Sequence, residues 1–193
     1  MNNNHIIINY EWRNSKKDIR NKIVKVSFDL PITLKKISLK NEDRKNLKEI
    51  IENINLSPKK MSEHLLDLLK KYPNESIILN YLSIAYKTLG NRNKTRIVLD
   101  EAIKRFPNDI YIASSYGLFY LEEGSNEKLL ETFKSCILGR CYPKRKVFHF
   151  TEVVAFHELW GRYFEKIGKI KTAKSHNEIV NRLLVFANSS QDQ

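Results

Sequence analysis

The sequence is poor in cysteine and glycine and has no long apolar run. Two cysteines in 193 residues, Cys136 and Cys141, do not make a disulfide framework, so we expect a reducing, cytoplasmic compartment. Six glycines supply no glycine-rich phosphate-binding loop. Uncharged apolar stretches fall far short of the roughly 18 residues that a membrane-spanning helix needs. The first residues, MNNNH, lack the basic region and apolar run of a secretory signal, so we expect none.

Positive charge is abundant. Lys and Arg number 34 against 22 Asp and Glu, which gives a formal net charge of +12. With 41% hydrophobic and 29% charged residues, the chain is too apolar to be wholly disordered and too charged to be a membrane protein. Its length fits one domain, or one repeat array with an extension.

A repeat of 34 residues runs through the middle of the chain. The segment KYPNE at 71–75 returns as RFPND at 105–109, and the step from Gly90 to Gly124 is also 34. Within each period the apolar residues recur at the spacing of helices. A period of this size predicts a solenoid of stacked helix pairs.

Three windows carry a common pattern of small and aromatic residues. The first has Leu79, Leu82, Ser83, Tyr86, Thr95, Leu99 and Pro107; the second Ala113, Tyr116, Gly117, Tyr120, Phe133 and Pro143; the third His157, Trp160, Gly161, Phe164, Gly168 and Ala173. In this pattern the glycines let the partner helix approach, and the aromatic rings fill the space behind them. Over about residues 76–187 the chain therefore resembles the tetratricopeptide repeat (TPR) family.

The resemblance implies an all-α fold: a right-handed α-solenoid of about four antiparallel helix pairs, here with a short N-terminal β-hairpin-like extension. Ser83, Thr95, Leu129 and Asn177 depart from the family pattern. The step from Gly124 to Gly168 is 44 residues, which implies an insertion at about 141–150. We expect three parts: residues 1–39, a repeat domain at 40–187, and a disordered tail at 188–193.

Capping residues predict where the helices begin and end. The helix starts are Asn41, Ser57-Pro58, Asn74, Asn108-Asp109 and Gly124-Ser125, and Gly90 ends a helix. After Gly124-Ser125 we expect a helix that includes Leu129, Leu130, Phe133, Cys136 and Ile137, with Cys136 at a core position. The last pair of helices is expected at 151–167 and 169–187.

Residues 1–39 break the helical pattern. Segments 6–12 and 23–30 are typical of strands, and in the second Val24, Val26 and Phe28 alternate with polar residues. Residues 14–21 are the expected loop. Because an isolated hairpin is marginal in water, we expect it to cap the first helix pair; the alternative is that its edge recruits a strand from a partner.

Signatures of enzymes and metal sites are missing. His157-Glu158 begins a zinc-protease-like pattern, but Gly161 stands where the second histidine has to be. His149, His157 and His176 lie in the last third of the chain, where we favour helical packing over catalysis. Cys136 and Cys141 are spaced around a helix and do not converge on one metal. We therefore expect no cofactor, no metal and no enzymatic activity.

The family resemblance implies a concave groove lined by the first helix of each pair. Carried over position by position, the groove residues are Ile77, Asn80, Tyr81, Ile84, Lys87 and Thr88; Tyr111, Ser114, Ser115, Leu118 and Glu122; and Ala155, Glu158, Leu159, Arg162 and Lys166. Tyr81, Ser115 and Leu159 occupy the places where chaperone-binding members hold a carboxylate clamp, so we expect no such clamp. The other possibility is that the N-terminal segment fills this groove.

These features predict a non-enzymatic adaptor or scaffold that binds a peptide or protein partner of unknown identity. The alternative is a nucleic-acid-associated protein that uses a basic helix face and the loop Lys144-Arg145-Lys146, flanked by Tyr142 and Phe148. Charge is uneven along the chain, since residues 108–141 carry a net −2 between basic ends. Solvated helix faces explain most of the excess, so we favour the adaptor.

Overall fold

In the computed structural model, the described residues are 5–9, 23–28 and 38–189. As predicted, this part of the chain is mostly helical and has a short N-terminal strand pair. The chain forms two compact units. We call Thr33–Phe119 the helical unit, and Met1–Ile32 together with Tyr120–Gln193 the mixed unit. The predicted division into 1–39, 40–187 and 188–193 stays a prediction.

The described elements are three strands and nine helices. The strands are β1 (His5–Asn9), β2 (Ile23–Ser27) and β3 (Val147–His149). The helices are α1 (Asn41–Asn53), α2 (Pro58–Lys71), α3 (Ser76–Thr88), α4 (Arg92–Arg105), α5 (Ile110–Glu122), α6 (Asn126–Thr132), α7 (Leu138–Cys141), α8 (Phe150–Lys166) and α9 (Ile170–Ser189). Helix α5 runs from the helical unit into the mixed unit.

Most predicted helix ends are confirmed. Ser57 precedes α2, which has Pro58 in its first turn. Gly90 and Gly124 follow helices with φ of 68° and 89°, a conformation that glycine adopts without steric cost. One helix start was wrong: Glu75, not Asn74, is the N-cap residue of α3, and the N–H of Glu75 closes a turn onto the carbonyl of Tyr72 at 3.3 Å.

Helix α6 is shorter than predicted. It ends at Thr132, and Phe133 takes an extended conformation with φ −116° and ψ 109°. Beyond it the Ser135 hydroxyl accepts a hydrogen bond from the N–H of Ile137 at 3.1 Å, which leads into α7. Cys136 therefore lies between two helices and is half-buried, which corrects its predicted place on a helix core face.

The core of the helical unit is aliphatic. Helix α2 packs on α3, and α3 packs on α4. Leu65, Leu82 and Ala102 lie in this core and are each at most 1% exposed. Helix α1 is held to α2 by the Tyr72 hydroxyl, which donates to Asp43 Oδ2 at 2.7 Å. That hydrogen bond, with Lys71 nearby, lowers the pKa of Asp43.

The mixed unit contains a three-stranded sheet of order β1-β2-β3. The first two strands are antiparallel, with Ile8 opposite Val24, and the last two are parallel, with Val26 opposite Phe148. These four side chains are buried. The predicted insertion thus supplies the third strand, and α8 and α9 pack together beside it.

The strand pair does not belong with the first helix pair. It groups with the C-terminal helices because β2 pairs with β3 and Phe28 stacks on Phe150 with ring centroids 5.0 Å apart. The predicted loop 14–21 lies outside the described residues. Helix α9 extends to Ser189, and residues 190–193 of the predicted tail also lie outside them.

Candidate binding surface and buried polar pairs

The helical unit carries uncharged side chains along one face of α3 and one face of α5. We call this set the α3–α5 surface; it comprises Ile77, Tyr81, Ile84, Tyr111, Ser115 and Leu118, all half-buried. On both helices the three residues have the spacing i, i+4, i+7, which keeps them on one face. The six positions coincide with predicted groove residues.

Two hydrogen bonds tie the helices of this surface together. The Ser115 hydroxyl donates to Asn80 Oδ1 at 2.8 Å, and the Ser76 hydroxyl donates to Asp109 Oδ2 at 2.6 Å. The other oxygen of Asp109 accepts the N–H of Tyr111 at 2.9 Å. The Asp109 carboxylate therefore caps α5 and also binds α3, which fixes the position of one helix relative to the other.

The α3 half of the surface rests on the hydrophobic core. Ile77, Tyr81 and Ile84 all pack against the buried cluster of the helical unit. Burial raises the pKa of the Tyr81 phenol, which therefore stays neutral at physiological pH. A rigid aromatic ring that is partly covered from within is the type of residue that anchors protein contacts.

Two predicted contact residues lie deeper than expected. Asn80 is 9% exposed and Ser114 is 5% exposed. The side-chain oxygen of Asn80 is already engaged by Ser115. The hydroxyl of Ser114 is buried without a hydrogen-bond partner within the described part of the chain, an arrangement that costs free energy.

The remaining predicted groove residues fall at helix ends or in the mixed unit. Lys87 and Thr88 are exposed at the end of α3. In the mixed unit the predicted set is Glu122, Ala155, Glu158, Leu159, Arg162 and Lys166; Leu159 is buried, Ala155 is half-buried and the others are exposed. Arg162 Nη1 lies 3.7 Å from Glu122 Oε1, and Lys166 Nζ donates to the carbonyl of Leu121 at 2.5 Å. These residues link α8 to the end of α5.

The predicted basic loop divides into two exposed lysines and one engaged arginine. Lys144 and Lys146 are exposed. Arg145 donates from Nη2 to Glu152 Oε2 at 2.5 Å and from Nε to the carbonyl of Val147 at 3.0 Å. Its guanidinium also lies 4.6 Å from the ring centroid of Phe148. Arg145 therefore fastens the insertion to α8.

Sequence reasoning missed the partner of Arg145. Glu152 follows His149 by three residues, the spacing of a capping box, and the structure contains that motif at the start of α8. The N–H of His149 donates to Glu152 Oε2 at 2.8 Å, and the N–H of Thr151 donates to His149 Nδ1 at 3.3 Å. The sequence contains the capping pattern, but it does not show that Glu152 also binds Arg145.

Two of the three C-terminal histidines meet between α8 and α9. The Nδ1 atoms of His157 and His176 are 2.7 Å apart, so one ring donates and the other accepts. Phe156 and Phe164 pack on them, with ring centroids 5.4 Å from His157 and His176 respectively. Burial lowers the pKa of both histidines, that of His176 to about 4.

At Gly161 the backbone of α8 lies close to the side chains of Asn177 and His176 on α9. A Cβ atom at this position would collide with Asn177 Oδ1 on α9. The prediction that Gly161 lets the partner helix pack near the backbone is therefore confirmed. His149, the third histidine, is the N-cap of α8.

The thiols are free, and burial raises the pKa of both, that of Cys141 to about 11. Among the described residues no group of three or more His, Cys, Asp or Glu is arranged to hold a metal ion. Within the same residues no helix has the length and apolar character to cross a membrane.

In comparisons with known proteins, no family model matches the chain and no curated protein is significantly similar to it.

Proposed function

We propose that this chain is a cytoplasmic, non-enzymatic adaptor with a TPR-like arrangement of helix pairs, and that it binds an uncharged peptide segment of a protein partner on the α3–α5 surface. The observation that carries the proposal is the surface itself. Six half-buried, uncharged side chains lie on two helices that hydrogen bonds join, in a chain whose formal charge is +12. Neither an acidic ligand nor nucleic acid finds a cation among these six residues.

The chemistry of the surface fits a peptide. Tyr81 and Tyr111 offer aromatic rings for apolar side chains. The Ser115 hydroxyl donates its proton to Asn80 Oδ1, so it is able to accept a hydrogen bond from a peptide N–H. The contacts through Asn80 and Asp109 hold both helices in place before binding, which lowers the entropy cost of association.

Peptides selected from a displayed random library against the full chain test this proposal. We expect Tyr81→Ala and Tyr111→Ala each to weaken the selected peptides about tenfold, the loss typical of an aromatic anchor. The matched control is Ile97→Ala, which removes an exposed apolar side chain on α4 of the same unit. Dissociation constants are measured by fluorescence anisotropy after thermal unfolding has shown that each variant is folded.

Salt distinguishes the proposal from its alternative. Affinity for an uncharged peptide is expected to change less than about threefold between about 50 and 500 mM NaCl, because few counterions are released. Equal binding by both tyrosine variants and the parent chain would contradict the proposal.

The alternative, nucleic-acid binding, has one specific feature in its favour: Lys144 and Lys146 are exposed and two residues apart. It predicts tight binding of a single-stranded probe of about 20 nucleotides with random sequence, and a steep loss of affinity at high salt. The variant for this test is Lys144→Ala with Lys146→Ala. Arg145 is kept, because it is bound to Glu152.

A further inference from the structure

Strand β1 forms one edge of the sheet in the mixed unit. The strand order is β1-β2-β3, and within the described residues β1 pairs with β2 alone. An edge strand presents main-chain N–H and C=O groups that are ready to pair with another strand. This surface is separate from the α3–α5 surface, which belongs to the helical unit.

Within its own five residues, β1 lacks the side chains and the bulge that commonly protect an edge strand. Natural edge strands carry lysine, proline, an inward-pointing charge or a bulge. The sequence of β1 is HIIIN, without lysine, arginine, acidic residue or proline, and its pairing with β2 is continuous over all five residues. Three consecutive isoleucines favour further strand pairing.

One face of the hairpin exposes isoleucine. Ile8, Val24 and Val26 point into the core, whereas Ile7 is 63% exposed and Ile23 is 47% exposed. Ile7 lies opposite Lys25 in the register, and Ile23 is its diagonal neighbour. The exposed apolar surface therefore reaches the free edge at Ile7.

We propose that the β1 edge is a homotypic interface at which a second copy of this chain pairs antiparallel across a twofold axis. A copy brings an edge with no formally charged side chain, so no like charges meet there although each chain carries +12. The symmetry sets Ile7 of one protomer beside Ile7 of the other, which covers both exposed side chains.

The expected dimer is weak. Five residues span about 17 Å of strand, and an edge of that length buries less than the roughly 1,200 Å² of a standard interface. The two sheets join into one of about six strands, a size common in globular proteins. Association through β1 is closed, because each protomer uses its β1 edge once.

Sedimentation equilibrium of the full chain from about 10 μM to about 1 mM tests the proposal, since weak dimers form only at high concentration. The average mass is expected to rise from 22.8 kDa toward twice that value. Ile7→Lys is expected to weaken association at least tenfold. The matched control, Ile23→Lys, adds the same charge to the same face on the central strand and is expected to change it less than threefold.

Amide hydrogen exchange of the unmodified chain makes the test independent of how the variants fold. Exchange of the β1 amides is expected to slow at least threefold between the lowest and highest concentrations. The proposal is overturned by a mass that stays monomeric throughout, by a mass that continues to grow beyond the dimer, or by an equal effect of the two lysine variants.

Discussion

Acidification from about pH 7.5 to about pH 5.0 is expected to lower the free energy of unfolding of the mixed unit by about 4 kcal/mol, through His157 and His176. Both imidazoles are buried, with 0% and 2% exposure, and their mutual hydrogen bond needs one ring proton. A second proton on the accepting ring, at Nδ1, sets two N–H groups against each other, and a second proton on the donating ring, at Nε2, leaves a buried charge. The folded unit therefore resists protonation of the pair.

The direction of this effect follows from linkage. Burial lowers the pKa of both histidines in the folded chain, that of His176 to about 4, whereas a histidine in the unfolded chain has its ordinary pKa of about 6.5. The stability is fully present above about pH 6.5 and is lost as the pH falls toward the folded value. At about pH 5.0 each histidine contributes about 2 kcal/mol of the loss.

Urea unfolding followed by Trp160 fluorescence, in a Trp12→Phe background, measures the effect. The double variant His157→Leu with His176→Leu is expected to flatten the dependence above about pH 5, because both hydrogen-bonding groups are removed together. His64→Gln, on α2 of the helical unit, is the control and should retain the slope. A parent chain equally stable at both pH values would contradict the expectation.

Arg145→Ala is expected to destabilise the mixed unit by about 3 kcal/mol, because it leaves a buried carboxylate without its cation. The side chain of Glu152 is 4% exposed, and that of Arg145 is 29% exposed. The same substitution also removes the hydrogen bond to the carbonyl of Val147 and the contact with the Phe148 ring.

Neighbouring lysines supply the matched controls for this prediction. Lys144→Ala and Lys146→Ala are expected to change the free energy of unfolding by less than about 0.5 kcal/mol, as exposed substitutions commonly do. Glu152→Gln added to Arg145→Ala should recover part of the loss, because the buried charge is then gone. If Arg145→Ala costs no more than Lys146→Ala, the ion pair is not structural. Denaturant unfolding of the parent chain and the four variants decides between these results.

Much of the helical pattern was readable from the sequence because helix ends depend on local chemistry. Proline in the first turn of α2, the glycine after α3 and the carboxylate of Asp109 each act within a few residues. Alternation likewise placed Val24 and Val26 on the buried face of β2. The six residues of the α3–α5 surface are among the groove positions that the family resemblance implies, and their spacing of four and seven residues puts each set of three on one helix face.

The tertiary structure decided the contacts between distant residues. Strand β3 has three residues and no alternation of its own, and it exists as the parallel neighbour of β2, about 120 positions earlier in the sequence. Sequence proximity suggested that the hairpin covers the first helix pair, but this pairing puts it in the mixed unit.

The two buried polar pairs, His157 with His176 and Arg145 with Glu152, also depend partly on the sequence and partly on the tertiary structure. The sequence determined that His157 and His176 lie on helices and that Glu152 stands at a helix start. It did not determine that the two imidazoles meet, or that Glu152 binds Arg145 rather than solvent. Caps and periodicity are set by neighbours along the chain, whereas these pairs depend on how α8 packs against α9 and the insertion, which no local window contains.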